Sequence, residues 1–136
     1  MINFETGEKL LKEAGECYRE MNEALERGSW NLVMRRAQEV VELSLKGVLK
    51  AMGVEYPKRH DVGDLFKQIC EERGIKLEGI SPDEVVRISS YLARERAPAF
   101  YMERDYTEDE ADRAKQDASR IYEMARKLFE NLKRGR

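Results

Sequence analysis

An all-α, up-and-down bundle of four to five antiparallel helices is the fold that this sequence predicts. Three observations predict it. Apolar residues recur at helical spacing along almost the whole chain. Glu, Lys, Arg, Leu and Ala, which favour helix, are abundant, and charged residues make up 38% of the chain. Capping and stop signals cut it into helix-length segments, with no strand-like alternation, repeat or low-complexity stretch between them. At 136 residues the chain is expected to form a single domain, residues 1–136, with a core large enough to fold without disulfides or metals. Its apolar content of 41%, periodically placed, argues against disorder.

The first helix is expected from Phe4 or Gly7 to Arg27, with Leu10, Leu11, Ala14, Tyr18, Met21 and Leu25 as its stripe. Gly28 ends it and Ser29 can cap the next. So short a link makes the first two helices antiparallel neighbours. The second, Trp30 to Met52, is the centre of the reading. Trp30, Val33, Met34, Ala37, Val40, Val41, Leu45, Val48 and Met52 form a broad apolar arc, wide enough for several neighbours. Arg35, Glu39, Glu42 and Lys46 line the opposite face. Gly53 follows, then a loop held extended before Pro57.

Asp61 can cap a third helix, with Asp64 in its first turn; Val62, Leu65, Phe66 and Ile69 face inward and Gly74 stops it. A loop then turns Ile75, Leu77 and Ile80 toward the core. Ser81-Pro82-Asp83-Glu84 starts the fourth helix with a capping box and a proline in the first helical position. Val85, Ile88 and Leu92 follow, and the helix is expected to end before Pro98. The stretch from Ala99 to Tyr106 reads as irregular. Thr107 and Glu110 repeat the capping box. Ala111, Ala114, Ala118, Ile121, Ala125, Leu128 and Leu132 carry a long fifth helix, whose alanines allow close approach to a neighbour. The basic tail, Lys133 to Arg136, is expected to fray.

Acids and bases nearly cancel, 27 against 25, so no global basic field draws nucleic acid, although a local patch is compatible with this balance. Cys17 and Cys70 are far apart in sequence and read as buried free thiols. No apolar run approaches the roughly 20 residues that span a membrane, and the first residues lack the pattern of a signal peptide. A cytoplasmic location is the expectation.

No glycine-rich phosphate loop, GxSxG or HExxH is present, and no cofactor is expected. One histidine and two separated cysteines make a zinc site a poor fit. Glu39 and Glu42, three residues apart, come nearest to a carboxylate metal pair, but between Arg35 and Lys46 they read as a solvated ion-pair stripe. His60 is the only histidine. It either docks the entry to the third helix or acts as an acid–base or phosphate-contacting group, with Arg59 beside it to hold phosphate. Arg94, Arg96, Tyr101, Arg104 and Tyr106 form a second cluster. Arginines interleaved with aromatics can hold phosphates and stack bases, and can equally cover a loop or make a dimer contact.

Three segments resemble the HEPN domain family. Arg35 to Gly53 is similar to its second-helix signature. Pro57-Lys58-Arg59-His60-Asp61-Val62-Gly63-Asp64-Leu65 resembles its P-x-x-H-D-L-x-x-L step into the third helix. Arg96 to Tyr101, followed by the closing helix, resembles its arginine–tyrosine loop. The resemblance keeps this order over nearly the whole chain. It implies a bundle similar to the C-terminal domain of kanamycin nucleotidyltransferase, a homodimer, and a minimal nucleotidyltransferase as partner, often in a toxin–antitoxin-like pair. It also implies a shared polar site for nucleotide or RNA, with His60 and Arg96 as candidate catalytic residues and Gln38, Glu39, Glu42, Lys46, Arg59, Arg94 and Tyr101 as candidate ligand contacts. Some family members are metal-independent ribonucleases whose active arginine precedes a histidine by four to six intervening residues. This chain departs there, because Glu55, Val54 and Gly53 stand at those positions before His60. A nucleotide- or RNA-binding interaction module is therefore the first expectation, and a ribonuclease with a variant Arg/His site the alternative.

Overall fold

The computed structural model describes residues 2–135 and shows five helices: α1 (Ile2–Glu26), α2 (Trp30–Ala51), α3 (Gly63–Arg73), α4 (Pro82–Phe100) and α5 (Glu108–Arg134). No strand occurs among the described residues, and none of their helices is long and apolar enough to cross a membrane. The all-α bundle is as expected. α2 packs against all four other helices, most extensively against α1, then α5 and α4. Its broad apolar arc explains this. Val33, Met34, Ala37, Val40, Val41, Leu45 and Val48 are buried, joined by Leu49, while Trp30 and Met52 are partly buried. Each aliphatic side chain so removed from water contributes about 1.5–3 kcal/mol.

α1 and α2 cross closely because glycines face each other. A Cβ at Gly7 would lie 2.5 Å from the Gly47 carbonyl oxygen, and one at Gly47 would lie 3.1 Å from the Gly7 carbonyl oxygen. Along α5, Ala111, Ala114, Ala118 and Ala125 are buried, so its backbone also approaches the core closely.

Both expected capping boxes are present. Ser81 and Glu84 close the start of α4, and Thr107 and Glu110 that of α5, each with reciprocal side-chain bonds to backbone N–H groups. Other ends differ from expectation. Ser29 stands at the start of α2 but makes no side-chain cap bond. Asp61 sits one residue before the N-cap position of α3, Val62; its Oδ1 accepts from the Gly63 N–H at 3.0 Å.

The largest correction concerns α4, which continues through Pro98 to Phe100. A proline in a final turn forfeits one bond, the one to the carbonyl four residues back, and its fixed φ suits the helix. The bonds beyond it survive: the Tyr101 N–H reaches the Ala97 carbonyl at 2.9 Å and the Glu103 N–H reaches the Pro98 carbonyl at 3.0 Å. The irregular segment therefore starts at Tyr101 rather than Ala99. At the far end α5 stays helical through Lys133 and Arg134, where fraying was expected, and Arg136 lies outside the described residues. Cys70 is buried, but Cys17 is only partly covered, because it borders a surface cleft.

Candidate functional site

His60 stands in the loop between α2 and α3, and its neighbours fix that loop. Tyr56 is partly buried, with the ammonium groups of Lys46 and Lys50 5.4 and 5.7 Å from its ring centre. Asp61 ties the loop to α4, since the Ser89 hydroxyl donates to its Oδ1 at 2.7 Å. Gly63 lets α3 begin hard against α4, where a Cβ would meet the Ser89 Cβ at 3.0 Å. The D-V-G step after His60 is thus an anchor, and it leaves the imidazole facing α2.

There the Nδ1 of His60 lies 2.9 Å from Oε1 of Glu42. The same Oε1 accepts from Nε2 of Gln38 at 2.9 Å, while the other oxygen of Glu42 accepts from the Lys46 ammonium at 2.7 Å. Gln38 is itself buried, and its Oε1 accepts from Nη1 of Arg96, on α4, at 2.7 Å. That guanidinium also reaches Glu39 at 3.2 Å. Glu39 in turn accepts from Arg36, and Arg36 donates to Glu20 on α1 at 2.9 Å. One polar chain therefore runs from α1 across α2 to α4 and the His60 loop. It joins Arg96 to His60 through Gln38 and Glu42.

Two clefts share His60 and Arg96. The larger, of about 460 Å³, is bordered by carboxylates, with Glu13, Glu20, Glu39 and Glu42 set against Arg36 and Arg96. The smaller, of about 250 Å³, is lined by His60, Ala93, Arg96, Ala97, Phe100 and Tyr101. The first is polar and acidic, the second mostly apolar and aromatic with two nitrogen-bearing side chains in its wall.

Burial is the strongest single influence on Glu42 and opposes its ionisation. The hydrogen bonds from Gln38, Lys46 and His60 together outweigh it and hold the carboxyl below its ordinary 4.5. Glu42 is therefore a carboxylate at neutral pH, and it can only accept. His60 must then donate from Nδ1, and Nε2 is the ring nitrogen that Glu42 leaves unengaged. Burial, reinforced by Glu39, pushes the Cys17 thiol up to about 11, so it is no thiolate nucleophile at neutral pH.

The depressed Glu42 carboxyl has a pH consequence. Its contribution to stability is complete above the ordinary value of 4.5 and is lost as pH falls through the lower folded-state value. Glu42→Gln is expected to be less stable than wild type at pH 7 and to lose less stability on acidification below 4.5. Denaturant unfolding from about pH 2 to about pH 7 checks this, since a carboxyl held below its ordinary value titrates toward the acid end of that range. Parallel losses in both proteins would contradict the role of Glu42.

The structure brings together five of the sequence-derived candidates, His60, Arg96, Gln38, Glu39 and Glu42, with Lys46 behind Glu42. The solvated-stripe reading of Glu39 and Glu42 needs correction. Both side chains are mostly covered; each pairs along α2, Glu39 with Arg36 and Glu42 with Lys46, and also across to another element, Glu39 with Arg96 and Glu42 with His60. Arg35 joins neither; its guanidinium lies over the Phe100 ring at 4.6 Å. Arg59 turns away and donates to the Asp61 carbonyl at 2.9 Å. Arg94 is exposed and lies over the Tyr91 ring. Tyr101 is 68% exposed at the rim of the smaller cleft.

The rest of the arginine–aromatic cluster is structural. Tyr106 is buried at 4% exposure, its hydroxyl donates to Glu95 at 2.5 Å, and Arg104 pairs with Glu95 and Glu110. Burial first, and then the Glu95 bond, push the Tyr106 phenol well above its ordinary value. Sequence reading missed Arg36, Glu20 and Cys17 as parts of the site. For Arg36 a signal existed, its i, i+3 spacing to Glu39; Glu20 and Cys17 lie on another helix and gave none.

No curated protein and no solved structure gives a significant match to this chain. The HEPN domain family model matches residues 8–128, which take in all of α2, α3 and α4 and most of α1 and α5. The bundle, the His60–Asp61 step into α3 and the Arg96 wall all lie within that match, and the chain belongs to the HEPN domain family.

Proposed function

We propose that this HEPN protein works as a homodimeric nucleotide- or RNA-binding module in the cytoplasm, paired with a minimal nucleotidyltransferase in a toxin–antitoxin-like system. One observation supports the binding role above all. Arg96 and His60, 36 residues apart by their numbering, come from different elements to the shared wall of two clefts, joined through Gln38 and Glu42. A guanidinium fork beside an imidazole suits a phosphate. The four carboxylates of the larger cleft repel a polyanion, so the phosphate reaches Arg96 from the smaller, aromatic side. The homodimer and the nucleotidyltransferase pairing rest on family membership. Co-purification with a co-expressed minimal nucleotidyltransferase tests them, and a monomer that ignores such a partner would overturn them.

A metal-independent ribonuclease is the second reading, and the Glu42–His60 bond favours it. A carboxylate on Nδ1 fixes the tautomer and leaves Nε2 to take a proton from a ribose hydroxyl, while Arg96 would stabilise charge on the phosphate. Against it stand the missing arginine before His60 and the engagement of Arg96 by Gln38 and Glu39. A metal-free RNA cleavage assay on wild type and His60→Ala decides. RNA left intact by both supports the binding module. Cleavage that disappears with His60→Ala supports the ribonuclease, and equal cleavage by both removes His60 from that role.

A further inference from the structure

The turn after α4 holds three large apolar side chains in solvent: Phe100 at 50% exposure, Tyr101 at 68% and Met102 at 70%. Among the described residues these are the exposed large hydrophobics. A loose loop would let them fold back, but this turn is clamped. Met102 adopts φ 56°, the left-handed position of a helix-ending turn that glycine usually fills. The Glu103 N–H closes the turn onto the Pro98 carbonyl at 3.0 Å. From α2, Nδ2 of Asn31 donates to the Arg104 carbonyl at 2.9 Å and the Ala99 carbonyl at 3.3 Å. Arg104 is pinned by Glu95 and Glu110, and Tyr106 is buried beneath. A strained residue held by this many bonds marks a conformation that the surroundings enforce.

Phe100 and Tyr101 meet edge to face, ring centres 5.0 Å apart, and the Arg35 guanidinium covers the Phe100 ring at 4.6 Å. Together with Ala93, Ala97, His60 and Arg96 they line the cleft of about 250 Å³. That is smaller than the roughly 300–1,000 Å³ of sites for drug-sized ligands. It matches one flat group rather than a whole nucleotide. Flat apolar walls ask for an aromatic ring, and the guanidinium and imidazole at one side ask for an anion attached to it.

We propose that the cleft between Tyr101, Phe100 and Ala97 is a nucleobase-stacking subsite, which seats one base of a bound nucleotide or RNA chain while Arg96 and His60 face its phosphate. The proposal rests on the nucleotide-binding reading above and adds to it the group that is recognised and the residue that recognises it. Stacking onto a side chain already fixed in place orders little on binding, and it tolerates every base because each has a π-face.

Calorimetric titrations with three probes test it: adenosine monophosphate, ribose 5-phosphate, which carries the same phosphate without a base, and an adenosine hexanucleotide. The wild type is expected to bind adenosine monophosphate on the order of tenfold more tightly than ribose 5-phosphate. Tyr101→Ala is expected to erase that difference and Tyr101→Trp to keep it. Tighter binding of the hexanucleotide than of the monophosphate identifies the source as an RNA chain, and equal binding identifies it as a free nucleotide; either supports the subsite when Tyr101→Ala weakens both. Equal binding of monophosphate and ribose phosphate by wild type overturns the subsite and leaves phosphate binding at Arg96 standing. Binding of none of the three overturns both. Light scattering on Tyr101→Ala closes the remaining route, since a dimer that falls apart on this change makes the patch a protein contact and overturns the subsite.

Discussion

Replacing Gly7 by valine is expected to destabilise the fold by about 3 kcal/mol, the upper end of the cost of overpacking a core. That is roughly a hundredfold in the folding equilibrium. The cause is backbone against backbone. A Cβ at Gly7 would sit 2.5 Å from the Gly47 carbonyl oxygen and 3.2 Å from the Ala51 Cβ, and neither is the far end of a flexible side chain. Valine adds two methyls at that crossing, so α1 must move off α2, along the most extensive helix contact in the bundle. The helix propensity gained on replacing glycine, a few tenths of a kcal/mol for valine, does not offset this. Gly53 provides the comparison. It needs its positive φ of 74° but has nothing within 4 Å of where a Cβ would stand. Gly53→Ala should therefore cost only the left-handed strain, about 1 kcal/mol. Urea unfolding midpoints check both, and a Gly7→Val protein as stable as Gly53→Ala would contradict the close crossing.

Arg96→Ala is expected to weaken RNA binding by roughly ten- to a hundredfold, the range for losing hydrogen bonds between a guanidinium and a phosphate. The fold also loses stability. Glu39 keeps its Arg36 partner when Arg96 is removed, but the buried Gln38 Oε1 loses its donor. The loss in stability should be about 1–3 kcal/mol, the cost of a buried polar group left unpaired. Arg96→Lys keeps the charge without the planar fork and should fall between the two. Fluorescence anisotropy with a labelled single-stranded RNA, alongside thermal melts, measures both quantities. Unchanged affinity with Arg96→Ala would remove Arg96 from the ligand site.

Much of the fold was legible because its signals are local. The capping boxes at Ser81 and Thr107 involve residues three apart, and the periodic face of α2 declared its central place. Pro98 misled because a proline that ends most helices is tolerated in a last turn, where only one backbone bond is at stake. The Gly7–Gly47 crossing could not be read, since a glycine within a helix marks close approach only once its neighbour is known. At the site, the Gln38–Glu42 and Glu42–Lys46 spacings were visible as i, i+4 pairs on one face. The meeting of Arg96 with His60 was not, because it depends on how α4 and the α2–α3 loop lie across α2. For Tyr106 and Arg104 the sequence left two readings open, ligand groups or the cover of a loop. Burial and the Glu95 bond turn them into the clamp of the α4–α5 turn.

The most direct test of the Arg96–His60 face as a nucleotide- or RNA-binding site is one titration: wild-type protein into a labelled single-stranded RNA, without metal, over a range of salt, with the integrity of the RNA read at each point. Saturable binding that weakens as salt rises, with the RNA left intact, is the expected result. No binding even at low salt would contradict the assignment, and rapid loss of intact RNA would replace it with the ribonuclease.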